Sequence, residues 1–163
     1  MLRRASDGYA QFLDRIGPMK MSALLSRTAS SRPGVTGTAR VDRDIDRLLR
    51  RVTPGDIVVI DALDLDRITA DALVEANVAA VVNASPSISG RYPNLGPEVL
   101  VANGVTLIDD TSLDVFKKVK DGARVRLHEG GVYAGDRQLI LGTERTDHEI
   151  NELMHEAKSG LVA

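Results

Sequence analysis

Apolar positions in this chain come in short runs rather than long stripes. Asp56–Ile60, Val78–Val82 and Val105–Ile108 are each four or five residues and mainly apolar, with Thr106 the one polar residue inside a run. Strands covered on both faces, as in a parallel sheet, read this way. Between them the apolar spacing turns helical. Ala70, Leu73 and Val74 share a face within Thr69–Ala76, with Asn77 placed to cap that helix in the left-handed region. Pro97 suits the first turn of a helix running to Asn103, which Gly104 ends. Upstream, Thr36–Val41 predicts a first strand. Asp42 is placed to cap a helix over Arg43–Arg51, with Ile45, Leu48 and Leu49 on one face. Leu113–Val119 predicts one or two helical turns.

The rhythm then changes. Arg124–His128, Gly131–Tyr133 and Gln138–Leu141 alternate or run apolar, with glycine-bearing turns at Glu129–Gly131 and Ala134–Asp136, the pattern of hairpins. Thr146, with Glu149 three residues later, forms a capping box for a last helix that carries Ile150, Leu153, Met154 and Ala157 on one face. Strand–helix–strand–helix–strand followed by hairpins predicts a small α/β domain with a mixed sheet over residues 35–144. A leader over 1–34 precedes it, and a helix over 145–163 follows. That helix is still apolar at Leu161–Ala163, so it is expected to lead into a further domain.

Composition narrows the picture. The 163 residues suit one domain with extensions. Aromatics make up only 3% and there is no Trp, so the core must be aliphatic. That counts against single-strand nucleic-acid binding, which needs an aromatic stacking platform, and no nucleic-acid partner is expected. No Cys is present, which excludes disulfides and thiolate metal sites. No apolar run approaches the ~18 residues of a membrane span, and the N-terminus lacks the apolar core of a secretory signal. Net charge is −2 but uneven: residues 1–51 hold 11 Lys or Arg against 5 Asp or Glu, and the remainder hold 10 against 18. The basic leader reads as a solvated tail, with contact to an anionic surface as the alternative.

Candidate chemistry concentrates between the second and third apolar runs. Ser85–Pro97 holds Gly90, Gly96, three prolines and three serines, which suits a shaped rather than a slack backbone, the alternative being an ordinary loop leading into a helix. Ser87, Ser89 and Arg91, with N–H groups around Gly90, have the makings of an anion cradle, and Tyr92, Asn94 and Gly96 extend the same surface; the alternative is that Arg91 and Asn94 tie the loop to its own domain. Asp61 and Asp64 follow one strand and Asp109 and Asp110 another, at the carboxyl ends where α/β sheets bind ligands. Such oxygen ligands suit Mg²⁺, while the competing reading is that aspartates here cap the next helices. The three histidines, His128, His148 and His155, read as solvated. Serine-hydrolase, phosphate-loop and dinucleotide fingerprints are missing, and no base lies beside a nucleophile in sequence, so turnover is unsupported.

Two resemblances follow from these residues. The order of pieces from Gly55-Asp-Ile-Val-Val59 to Lys120-Asp-Gly-Ala-Arg-Val125 resembles the swivelling phosphohistidine domain of phosphoenolpyruvate-utilising enzymes, but the loop that would carry the histidine has none. More closely, Pro54–Asp61, Asp64-Leu-Asp66, Thr69–Val74, Val81–Ser85 and above all Ile88-Ser-Gly-Arg-Tyr-Pro-Asn-Leu-Gly-Pro97 resemble the SteA-type cell-separation proteins of actinobacteria, from about Ser22 to the C-terminus. The resemblance implies a non-catalytic regulatory domain acting in septal peptidoglycan hydrolysis. It implies a cytoplasmic location at the septum and a SteB-like membrane partner. It also implies a following domain similar to thiamin pyrophosphokinase and a hydrophobic C-terminal segment. The alternative is a share in a nucleotide or pyrophosphate site, with Mg²⁺, completed by that second domain. A homodimer through Ile150, Leu153 and Ala157 is a further expectation.

Overall fold

A computed structural model describes residues 32–91 and 94–162, the side chains of 160–162 excepted. The chain divides into two units, Met1–Pro33 and Gly34–Ala163. The basic leader expected over 1–34 lies almost wholly outside the described residues, and the second unit holds the folded domain.

That unit is the expected small mixed α/β domain. Its order is β1 (Val35–Val41), α1 (Ile45–Leu49), β2 (Ile57–Ile60), α2 (Arg67–Glu75), β3 (Ala80–Asn83), α3 (Gly96–Ala102) and β4 (Thr106–Asp109). Then come α4 (Val115–Lys118), β5 (Arg124–His128), β6 (Gly131–Ala134), β7 (Arg137–Leu141), β8 (Thr143–Glu144) and α5 (Asp147–Val162). β1 to β4 are parallel neighbours, while β5, β6 and β7 continue from β1 as an antiparallel meander. The strand order is β7-β6-β5-β1-β2-β3-β4-β8.

The two ends of that order, β7 and β8, are consecutive in the chain and separated by Gly142 alone. The sheet therefore curls until its ends meet. Gly142 is where the strand changes partners: its N–H donates to the Gly130 carbonyl at 2.7 Å, and a Cβ there would lie 2.7 Å from the Asp109 carbonyl oxygen. Only a residue without a side chain allows so close a crossing. Sequence periodicity missed β8, because two residues are too short to show a period.

Curling creates two cores from alternate residues of the same strands. Ile57, Val59, Ala80, Val82 and Ile108 face inward with Val125, Leu127, Val132 and Ile140 from the meander. Val58, Ile60, Val81 and Leu107 face outward beneath Leu48, Ala70, Leu73 and Leu100 of the helices. Every residue of β2 and β3 is buried, as their unbroken apolar runs predict.

One cap moves. Asp44, not Asp42, caps α1, accepting from the Arg47 N–H at 3.1 Å. Asp42 instead accepts the Asp44 N–H and two bonds at 2.7 Å from the Arg47 guanidinium. That fork holds the Asp42 carboxyl well below the usual carboxylate range. A carboxyl depressed on folding contributes stability above about pH 4, and the contribution is lost as pH falls through the folded value. Asp42→Asn is therefore expected to flatten the fall of urea midpoint with pH below about 4. A slope equal to that of the parent chain would refute the assignment.

α5 opens on the expected Thr146, whose hydroxyl accepts the Glu149 N–H at 3.3 Å. Its apolar face is already spent within this chain. Ile150 and Met154 pack with Ile88 into a third small core, Leu153 packs against that core, and Ala157 is fully buried. Of the three positions expected to serve a homodimer, Ile150 and Ala157 are buried within this chain and Leu153 is half-buried.

Candidate functional site

The carboxyl ends of β2, β3 and β4 open onto three loops, and a buried asparagine fixes how they meet. Asn83 ends β3 and is fully buried. Its amide donates to the Ala62 carbonyl at 2.8 Å and to Ser87 Oγ at 2.7 Å, while its oxygen accepts from the N–H groups of Ala62 and Ser85. Both ends of the amide are thereby satisfied in a place water does not reach, as burial demands. Asn83 was passed over in sequence because it terminates an apolar run, yet an amide there is itself the signal of such a pin.

From Asn83 the chain returns three serines at alternate positions, and each meets a different aspartate. The Ser85 hydroxyl donates to Asp61 at 2.6 Å. Ser87 donates to Asp109 through its hydroxyl, at 2.8 Å, and through its N–H. Ser89 donates to Asp64 through its hydroxyl and its N–H, both at 2.8 Å. The serine loop and the acidic clusters, which in sequence suggest an anion cradle and a metal site, are partners of one another.

Each candidate residue changes accordingly. The cradle around Ser89 and Gly90 exists, but its occupant is the chain's own Asp64 carboxylate. The Arg91 N–H turns back to Ser89 Oγ at 3.2 Å, and the Arg91 side chain is exposed. Asn94 is half-buried and engaged in an interaction of its own. Gly96 is packed against the Leu65 and Asp66 carbonyls and presents no surface. Tyr92 lies outside the described residues. Asp61, Asp64, Asp109 and Asp110 do not converge. Among the described residues no group of three or more His, Cys, Asp or Glu is arranged to hold a metal ion, and Asp61, Asp64 and Asp109 are each tied to a serine. Asp110 is exposed, with φ at +53°.

Asp109 sits deepest. It is fully buried and accepts from Arg145 Nε at 3.1 Å as well as from Ser87. Burial pushes its carboxyl up, against the opposing bonds from Ser87 and Arg145. A serine hydroxyl beside a carboxylate has the elements of a nucleophile and base, but neither group reaches solvent, so no substrate can approach them. Arg145, between β8 and α5, had no distinguishing signal in sequence. Among the described residues no helix is long and apolar enough to cross a membrane.

No family model and no curated protein matches this chain. Among solved structures it is similar to the 3-isopropylmalate dehydratase (LeuD) of Methanocaldococcus jannaschii, with 14% identity over 78% of this chain and 96% of that one, at a TM-score of 0.46. A likeness so distant says nothing of activity.

Proposed function

We propose that this chain is a non-catalytic interaction domain of a SteA-like protein, acting in septal peptidoglycan hydrolysis and daughter-cell separation with a SteB-like membrane partner. Beside the motif resemblance, one observation carries this reading. Three Ser–Asp ties and the Asn83 pin brace the loop after β3 from beneath, so its outward groups, Arg91 foremost, are presented on a fixed base. Pre-organised loops of this kind suit recognition. A nucleotide or pyrophosphate site finds less support, since the hydroxyls of Ser87 and Ser89 already serve carboxylates whose charge repels an anion.

Arg91→Glu in the full-length protein tests the reading. The side chain is exposed, so melting should shift by no more than about 0.5 kcal/mol equivalent. Cell separation should fail, leaving chains of joined cells under the microscope. Normal separation by a stably expressed variant would overturn the proposal.

A further inference from the structure

Large apolar side chains exposed to water are concentrated at one end of this domain. Five are exposed among the described residues. Four of them, Leu63 at 62%, Ile68 at 81%, Leu95 at 41% and Leu113 at 51%, lie in the loops after β2, β3 and β4 or in the first turn of α2. The loops are in mutual contact. Gly96 rests on the Leu65 and Asp66 carbonyls, which keeps the Cα atoms of Leu63, Ile68 and Leu95 within one or two residues, roughly 7 Å, of that contact. Leu113 follows Ser112, whose N–H donates to the Ala84 carbonyl at 2.9 Å. Scattered apolar residues on a surface are ordinary, but a group gathered at one end marks an interaction site.

The charge around this group is predominantly negative. Residues 61–71, 84–95 and 110–114 carry Asp61, Asp64, Asp66, Asp71, Asp110 and Asp114 against Arg67 and Arg91. Arg67 lies 3.7 Å from Asp71, and the other five carboxylates form no ion pair among the described residues. Their bonds to Ser85, Ser89 and the Thr69 N–H leave the negative charge in place. An acidic partner or an anionic lipid surface would be repelled here, and a basic one drawn in. We propose that this end of the sheet is a docking surface for a segment of a partner protein that carries Lys or Arg around Leu- or Ile-type side chains. The proposal rests on the interaction-domain reading and names the partner's chemistry.

The test uses the full chain and a fluorescein-labelled amphipathic peptide of Leu and Lys, with a Leu and Glu counterpart, followed by fluorescence anisotropy. The Lys peptide should bind about tenfold or more tightly than the Glu peptide, and raised salt should weaken it severalfold. Ile68→Ser with Leu113→Ser, both at exposed positions, should weaken it about tenfold at an unchanged melting temperature. Equal binding of the two peptides, or undiminished binding by the double variant, overturns the proposal. Cell separation by the same double variant distinguishes this failure from failure of the parent reading. Joined cells with undiminished peptide binding overturn the basic-segment assignment and leave the interaction domain standing. Normal separation with peptide binding lost overturns the role in separation and supports the assignment.

Discussion

Asp109→Ala is expected to lower the unfolding free energy by about 4 kcal/mol, read from urea denaturation at neutral pH. Breaking one side of a buried ion pair strands the other, and such losses run to roughly 3–5 kcal/mol. Here the Ser87 hydroxyl and N–H and the Arg145 guanidinium would all lose their acceptor. Asp109→Asn should cost less, because an amide oxygen still accepts from Ser87. The pH dependence separates the two roles of the carboxyl. Burial raises its folded value, so the part of its contribution set by titration is fullest below the ordinary carboxylate range and is lost as pH rises through the raised value, while the bonds from Ser87 and Arg145 remain. The gap between the parent chain and Asp109→Asn should therefore narrow as pH rises from about 4 to 7. A cost below about 1 kcal/mol for the alanine variant would show that Asp109 does not hold the loop.

Gly96→Ala is expected to cost about 3 kcal/mol, for a purely steric reason. The added Cβ would lie 2.3 Å from the Leu65 carbonyl oxygen and 2.7 Å from that of Asp66. Both are backbone atoms and cannot rotate away, so α3 must retreat from the loop that precedes α2. Gly90→Ala is the internal comparison. Its φ is +88° with open space around the added atom, so only backbone strain opposes it, about 1–2 kcal/mol. Thermal melts of the two variants decide the matter, and an equal or smaller loss at Gly96 would disprove the close approach.

The parallel half of the fold was legible because its strands are buried on both faces, and the runs at Ile57–Ile60, Ala80–Asn83 and Thr106–Asp109 lie within two residues of where periodicity puts them. The hairpins were legible from turn chemistry: Glu129 and Gly130 both take positive φ, as a two-residue turn requires. The join at Gly142 was not, since strand partners across a curled sheet leave no local trace. The candidate site was legible in its parts but not in their pairing. Ser85, Ser87 and Ser89 alternate, and Asp61, Asp64 and Asp109 sit on neighbouring strand exits, but which hydroxyl faces which carboxylate depends on the order of strands in space. A sequence scanned for anion sites and cation sites separately finds both, and has no means of seeing that their side chains bond to one another.

Two struts connect α5 and the residue that leads into it, Arg145, to the loop after β3. One is apolar, Ile88 against Ile150 and Met154. The other runs from Arg145 through Asp109 to Ser87. Undocking the helix would forfeit the apolar contact and pull on the Arg145 tie, so the helix and the serine loop brace one another.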